Sequence, residues 1–153
     1  MGVFDNEIKI IDRLPKVIDE TVKNAVTKYG FVIKNYNIVN QLDEKGENSL
    51  GKKLDYKLPK KGYSNPYKRV RIKAGLQVQY VDTHFTGKFH ASIQIVAEDG
   101  QFKITSDIDY GEHVIRRYGK EMLGIQKQYL QDFVDKYLIE ELKNAVNGHF
   151  TKS

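Results

Sequence analysis

A segment in the first half of the chain, residues 43–75, is interrupted too often to form one long helix or strand. Its interruptions are Gly46, Gly51, Pro59, Gly62, Pro66 and Gly75. Proline removes a backbone donor and glycine is unfavourable inside regular elements, so each position favours a turn. A loop of this length is uncommon within a compact domain and is usually functional or disordered. We therefore predict an extended basic loop or arm here, with the regular elements on either side of it.

Helices are predicted at both ends of the chain. Apolar residues recur at helical spacing over residues 5–29. Pro15 falls inside this pattern, so either a short lead-in turn ends there or Pro15 lies in the first turn of the main helix. Gly30 is expected to end that helix. A second apolar stripe over residues 126–146, followed by Asn147-Gly148, predicts a C-terminal helix.

Alternating apolar and polar residues predict strands between the basic segment and the C-terminal helix. The candidate strands are LQVQYVD at residues 76–82, FHASIQIVA at 89–97 and QFKITSD at 101–107. The turn signal Glu98-Asp99-Gly100 separates the last two. An antiparallel meander of this kind needs cover on one face, which the two amphipathic helices supply. The predicted fold class is α+β, in a single domain of residues 1–153.

Positive charge is concentrated in one part of the chain. Residues 45–75 carry 10 basic and 2 acidic side chains, whereas residues 1–44 have a net charge of −1 and residues 76–153 one of −2. Charges at this density repel one another unless something neutralises them, and interleaved tyrosines add stacking surface. We predict contact with an acidic protein surface or a phosphate backbone; the alternative is a solvated loop whose lysines keep it soluble. The predicted contact residues are Lys52, Lys53, Lys60, Lys61, Tyr63, Tyr67, Lys68, Arg69 and Arg71, with Arg116 and Arg117 as a second site.

Part of the basic segment is close to a nucleotide-binding signature. Gly46, Gly51 and Lys52 fit the spacing G-x-x-x-x-G-K of a P-loop, but Lys53 stands where a hydroxyl is needed for magnesium. The residues before it are too polar for a buried strand, and those after it show no apolar helical stripe. The sequence therefore favours a basic glycine turn over an NTPase site.

Other catalytic and metal chemistry has little support in the sequence. The chain has no cysteine, which excludes disulfides, thiolate metal sites and a cysteine nucleophile. Asp82 and His84 could share a strand face, which is half of a metal site, but no third ligand falls at a convincing spacing. We expect no enzymatic activity, no cofactor and no bound metal. Acidic residues near the N-terminus argue against a signal peptide. The lack of about 18 consecutive apolar residues argues against a membrane span.

Residues 81–125, VDTHFTGKFHASIQIVAEDGQFKITSDIDYGEHVIRRYGKEMLGI, contain a series of short motifs. Thr86-Gly87 opens a predicted strand, and Tyr118-Gly119 marks a turn before the last helix. Upstream, Asn40-Gln41-Leu42 is similar to an Asn-x-x-Gln-Leu motif but lacks the usual spacer between Asn and Gln. Over residues 35–126 the chain resembles virion proteins of the head–tail connector or tail-completion type from tailed bacteriophages, particularly those from phages of gut Bacteroidetes.

The resemblance implies a structural subunit of the virion, made in the cytoplasm of a host bacterium. Such a subunit would form a homo-oligomeric ring in the neck or upper tail and would contact its neighbours through loops. The expected partners are copies of itself, the portal or other neck and tail proteins, and packaged DNA in the lumen, with no cofactor and no membrane. The alternative from another class is a small basic module that binds nucleic acid through residues 43–75.

Overall fold

The computed structural model describes residues 3–151, and their side chains from residue 13 onward. Most of this part of the chain is helical, and two antiparallel strands form the sheet, which confirms the α+β class. The elements, in chain order, are α1 (Val3–Asn35), a first π-helical segment (Tyr36–Asp43), α2 (Asn65–Lys73), α3 (Lys88–Ala91), β1 (Ile93–Glu98), β2 (Gln101–Ser106), α4 (Gly111–Tyr118), a 3₁₀ turn (Lys120–Met122), α5 (Lys127–Phe133), a second π-helical segment (Val134–Leu138) and α6 (Ile139–Thr151).

The two terminal helices are present, but both extend past their predicted ends. Helix α1 contains Pro15 within its length and kinks at Tyr29, whose φ of −113° and ψ of 16° are not helical. The predicted end therefore coincides with a kink, after which the helix resumes at Gly30 and packs against Ile95 at ordinary van der Waals distance. The C-terminal helix likewise continues through Asn147-Gly148 to the end of α6.

The predicted hairpin is confirmed over residues 93–106, but residues 88–91, where its first strand was expected to begin, form α3, and the strand predicted at residues 76–82 is absent. Strands β1 and β2 pair in antiparallel register from Ile93 opposite Ser106 to Glu98 opposite Gln101. Residues 76–82 are not a strand, because side chains satisfy much of their backbone. The Gln77 side chain accepts from the backbone N–H of Gln79, and it donates to the carbonyl of Tyr80. Backbone groups that already have hydrogen-bond partners among side chains do not require those of a neighbouring strand.

The basic segment is folded against the rest of the molecule and is not an extended arm. Its first half forms a tight turn in which Leu54 donates its N–H to the carbonyl of Gly46. The backbone N–H of Ser49 donates to the carbonyl of Glu121, and this bond docks the turn on the 3₁₀ segment. Leu54 itself is buried in the hydrophobic core. The second half contains α2, which the sequence pattern did not predict.

The hydrophobic core lies between α1, the hairpin and the C-terminal helices. Ile33 of α1, Ile93 of β1 and Phe133 of α5 are almost completely buried within it. Burial of a side chain of this size contributes about 1.5–3 kcal/mol relative to exposure. The apolar stripes predicted at the two ends of the chain therefore pack directly against each other, with the rings of Tyr29 and Tyr137 5.1 Å apart.

Two buried amides connect the first π-helical segment to residues 122–126. Asn37 donates to the carbonyls of Met122 and Gly124 at 2.8 and 2.9 Å. Gln41 donates to the Gly124 carbonyl at 2.9 Å and accepts from the backbone N–H of Gln126 at 2.7 Å. Neither amide is exposed to solvent. Together they hold an irregular stretch whose polar backbone groups would otherwise be buried without partners.

Candidate functional site

Four of the predicted contact lysines line one groove, which we call the basic groove. It has a volume of about 680 Å³ and lies between the turn of residues 46–54 and α2. One carboxylate, that of Asp55, also reaches the groove. Its lining residues are Lys52, Lys53, Asp55, Tyr56, Lys61, Gly62, Lys68, Val78, Gln79 and Tyr80. The structure thus gathers charges that are separated by up to 16 positions in the sequence.

The lysines of the basic groove are not equally free to meet a partner. Lys61 donates to the carbonyls of Asp55, Tyr56 and Leu58, so it is occupied in closing its own turn. Lys53 pairs with Glu47 at 3.3 Å. Lys52 and Lys68 form no ion pair with any side chain that the structure describes, although Lys52 lies 5.0 Å from the ring centre of Tyr56. The charge available for a partner is therefore smaller than the sequence count indicates.

Arg71 was predicted to contact a partner, and the structure corrects this. Its side chain is 1% exposed. The guanidinium donates to both carboxylate oxygens of Asp82, at 2.9 and 3.1 Å, and to the carbonyls of Gln77 and His84. Tyr63 lies beneath it, with the guanidinium carbon 4.3 Å from the ring centre. Arg71 is therefore an internal ion-pair residue that fixes residues 77–84 against α2.

Tyr63 belongs to the same buried network. Its hydroxyl donates to Asp82 at 2.8 Å and accepts from the backbone N–H of Asp82 at 3.0 Å. Burial, together with the adjacent carboxylate, raises the pKa of Tyr63 well above its usual value. The phenol therefore stays protonated and donating, and Tyr63 is committed to the fold as much as to any partner.

A second groove, which we call the aromatic groove, lies beside the network. It has a volume of about 430 Å³ and contains the predicted residues Tyr63, Tyr67 and Arg117. Tyr67 contacts Phe85 across it, with 5.9 Å between ring centres. Further lining residues are His84, Phe89, Tyr110, Val114 and Tyr118. Its lining also includes two cations, the buried Arg71 and the exposed Arg117. Aromatic walls with an exposed cation are typical of a surface that receives another side chain or a base.

The remaining predicted contact residues lie outside both grooves. Lys60 and Arg69 are exposed in the basic segment, and Arg116 is exposed on α4. Arg69 belongs to a mixed surface on α2, which we call the outer face of α2: Arg69, Val70, Ile72 and Lys73. No sequence pattern predicted this face, because α2 buries the charged residue Arg71 and exposes the apolar residues Val70 and Ile72.

The resemblance to a P-loop does not extend to its structure. Residues 52–64, which follow Gly51, contain no helix, and Glu47 instead bridges to Lys53 across the turn. Gly46 has a positive φ of 60°, and a side chain there would collide with the carbonyl oxygen of Val81. Packing and backbone geometry thus account for this glycine without any phosphate. The prediction of a basic glycine turn is confirmed.

One further cluster, Asp43, His84 and His90, was missed by sequence reasoning. The three side chains offer ligand atoms that all lie within 4.8 Å of one another. The sequence suggests Asp82 and His84 as half of a metal site, but Asp82 binds Arg71 instead. The carboxylate of the cluster is that of Asp43, 41 positions before His84. No spacing rule connects the end of a helix to a loop so distant, so only the fold could reveal this cluster.

Comparisons with protein-family models, with curated proteins and with solved structures gave no match to this chain. Among residues 3–151, no helix combines the length and the apolar character that crossing a bilayer requires. Any statement of function therefore depends on the surfaces described above and on the sequence resemblance over residues 35–126.

Proposed function

We propose that the protein is a structural subunit of a tailed-bacteriophage virion and forms a homo-oligomeric ring in the head–tail connector or upper tail. The observation that supports this best is the orientation of α2. Val70 and Ile72 are 48% and 62% exposed, whereas Arg71 between them is buried. On the helix surface the basic side chains of Arg69 and Lys73 lie between these two apolar ones. A mixed surface of exposed apolar side chains and basic residues is compatible with a protein contact. A surface of this kind is what a ring subunit needs, and it needs no catalytic group.

The partner that best fits the outer face of α2 is the group of acidic residues around Tyr110 in a neighbouring copy. Residues 45–75 have a net charge of +8, and the rest of the chain is acidic. Asp107, Asp109 and Glu112 are all exposed around Tyr110, which is itself 42% exposed. A contact between two different faces of the same chain is heterologous, and repeating it around an axis closes a ring. The opposite charges of the two faces favour such pairing over like with like.

Replacing Ile72 with glutamate is expected to weaken self-association by about 10-fold or more. The change removes an apolar contact worth about 1.5–3 kcal/mol when fully buried, and it adds a negative charge to a basic face. Light scattering coupled to gel filtration at low salt measures the assembly state, and negative-stain electron microscopy shows whether rings form. The wild-type chain should form rings, and I72E should remain in smaller species.

Ile139→Glu is the matched control, because Ile139 is a similarly exposed isoleucine on α6. It should assemble as the wild type does. A wild-type chain that stays monomeric at high concentration would contradict the ring, as would equal loss of assembly in both variants. Mass spectrometry of purified particles of the encoding phage tests the virion role separately, and absence of the chain from those particles would exclude it.

The basic groove supports a second candidate, a module that binds nucleic acid. Lys52 and Lys68 lie there without ion pairs among the described side chains, and Tyr56 and Tyr80 offer rings for stacking. If this groove follows a phosphate backbone, replacing both lysines with glutamine should reduce the slope of log affinity against log salt by about 2. Fluorescence anisotropy with duplex and single-stranded DNA over a salt series measures this slope.

A control with the same loss of charge is Lys127→Gln with Lys143→Gln, two exposed lysines on the C-terminal helices. This variant should keep the wild-type slope. Negligible DNA binding by the wild-type chain, or an equal change in both double variants, would dismiss the nucleic-acid candidate and leave the ring subunit.

A further inference from the structure

Three segments that are distant in sequence bring potential metal ligands to one point beside the aromatic groove. Asp43 ends the first π-helical segment, His84 follows the loop that Arg71 fixes, and His90 lies on α3. Oδ1 of Asp43 is 3.3 Å from Nδ1 of His84 and 3.2 Å from Nδ1 of His90. We propose that this cluster, the His₂Asp site, binds a divalent transition-metal ion of the zinc class.

The hydrogen bonds of His90 fix which of its nitrogens carries the proton. Nε2 lies 3.0 Å from the carbonyl oxygen of Asp82 and 3.1 Å from the hydroxyl of Thr83. A carbonyl can only accept, so Nε2 is protonated and donates. Nδ1 of a neutral His90 then presents a lone pair toward Asp43. A histidine whose other nitrogen donates to a backbone carbonyl is the arrangement found around protein-bound metals.

Nδ1 of His90 lacks a hydrogen-bond partner of acceptable geometry. The His90 side chain is only 5% exposed, and Oδ1 of Asp43 lies 3.2 Å from this nitrogen. Two acceptors at that distance repel each other unless a positive charge lies near both. A metal ion bound to both supplies that charge. It would also replace the proton that Nδ1 of His84 donates to Oδ1 of Asp43 in a 3.3 Å hydrogen bond.

The distances suit tetrahedral coordination. Zinc bonds of about 2.0–2.1 Å to nitrogen and oxygen place neighbouring ligand atoms about 3.3 Å apart. The two separations from Asp43 already have this value, at 3.2 and 3.3 Å. The third separation, between the two histidines, lies within 4.8 Å, so a small rotation of the half-exposed His84 side chain would close the site. Three protein ligands leave the fourth position open to solvent.

The protein holds the histidine loop in a strained conformation near the site. Thr83 has a φ of 60°, an unfavourable value for a β-branched residue. The buried pair of Arg71 and Asp82 fixes the loop, and Asp82 accepts from the backbone N–H of His84. Strain of this kind persists where surrounding contacts determine the geometry, and it is concentrated at functional sites. Here its consequence is the placement of His84 beside Asp43.

The donor types of the cluster indicate which cation it suits. Asp43 contributes a carboxylate oxygen, and His84 and His90 each contribute a ring nitrogen. Nitrogen and carboxylate donors together suit zinc and neighbouring first-row ions, whereas calcium and magnesium prefer oxygen alone.

The same geometry argues against a hydrolytic triad of Thr83, His90 and Asp43. A nucleophilic hydroxyl must give its proton to the histidine. The Thr83 hydroxyl instead donates to the carbonyl of Asp82 at 2.6 Å, while Nε2 of His90 already carries a proton. His90 thus has no free base on the side of Thr83. The ion would join three segments of the fold and keep one coordination position open to solvent, and its binding does not depend on the proposed place in a virion.

Isothermal titration of the chelator-treated full-length chain with Zn²⁺ tests the proposal. We expect one ion per chain, and Co²⁺ should give visible absorption bands of a low-coordinate nitrogen and oxygen site. His84→Gln should weaken Zn²⁺ affinity by more than about 100-fold, because it removes a direct ligand. Zn²⁺ at a hundredfold excess over its Kd should raise the wild-type Tm by about 5–10 °C and should leave that of H84Q almost unchanged.

His113→Gln is the matched control, since His113 is exposed on α4 outside the cluster. It should bind one Zn²⁺ as the wild type does. Asp43→Asn gives a second, independent removal of a ligand, and metal-free Tm values close to the wild type show that both ligand variants fold. An absence of Zn²⁺ binding would overturn the proposal. Binding that survives in H84Q and D43N would overturn it too, because the ion would then bind elsewhere.

Discussion

Replacing Arg71 with methionine is expected to lower the free energy of unfolding by about 3–5 kcal/mol, because Asp82 would keep its charge in a site closed to water. The two side chains are 1% and 6% exposed and are 2.9 Å apart. The variant also leaves the carbonyls of Gln77 and His84 without their donor. Methionine preserves much of the aliphatic volume, so the loss reports the charge and not a cavity. Urea denaturation followed by circular dichroism measures it.

Arg69→Met is the control, since Arg69 is an exposed arginine two positions before Arg71 on the same helix. Its effect should stay within about 0.5 kcal/mol. The double variant R71M with Asp82→Leu should recover most of the loss, because replacing both members of a buried pair leaves no isolated charge. Equal stability of R71M and R69M would show that the Arg71 pair is not needed for the fold.

The Arg71 pair connects the fold to both proposals. It turns the charged residue of α2 inward, which leaves Val70 and Ile72 exposed for a partner. It also fixes the loop that carries His84 next to Asp43. Loss of this pair should therefore weaken Zn²⁺ binding and ring formation together, although neither surface contains Arg71.

Elements specified by local patterns could be predicted from the sequence. The apolar stripes of the terminal helices and the alternation around Glu98-Asp99-Gly100 each depend on neighbours within a few positions. The hairpin consequently has the expected turn. The resumption of α1 after its kink at Tyr29 was not predictable, because this part of the helix packs against later parts of the chain such as Ile95.

Elements specified by buried polar groups could not be predicted. Residues 76–82 alternate like a strand, yet the Asp82 carboxylate binds Arg71, and the Gln77 side chain binds Asp82 and nearby backbone. Helix α2 has no apolar stripe, because its inward residue is Arg71. Pattern rules place apolar residues inside, so a helix that buries an ion pair escapes them.

The candidate sites divide along the same line. Composition identified the basic segment, and four of its lysines do share a groove. Composition could not show that Lys61 is bound by its own turn or that Arg71 is buried. The His₂Asp site was beyond sequence reasoning because its ligands come from three segments, and Asp43 looked like one acidic residue among many.

Replacing Gln41 with leucine is expected to lower the free energy of unfolding by about 2–4 kcal/mol. Gln41 is completely buried and exchanges two hydrogen bonds with residues 124–126. Leucine fits the volume but leaves the N–H of Gln126 without a partner and takes one donor from the Gly124 carbonyl, at about 1–3 kcal/mol for each unsatisfied group. Urea denaturation measures the loss, and hydrogen exchange should show reduced protection of the Gln126 amide.

Gln79→Leu makes the same chemical change at an exposed position and should alter stability by less than about 0.5 kcal/mol. Gln41→Glu separates shape from charge. A buried carboxylate has a folded-state pKa above its unfolded value, so the penalty is full at high pH and shrinks as the pH falls through the folded pKa. The protonated acid can again donate to Gly124 and accept from Gln126. We therefore expect the stability difference between Q41E and the wild type to shrink on acidification. If it does not shrink, the hydrogen bonds of the Gln41 amide do not secure residues 122–126.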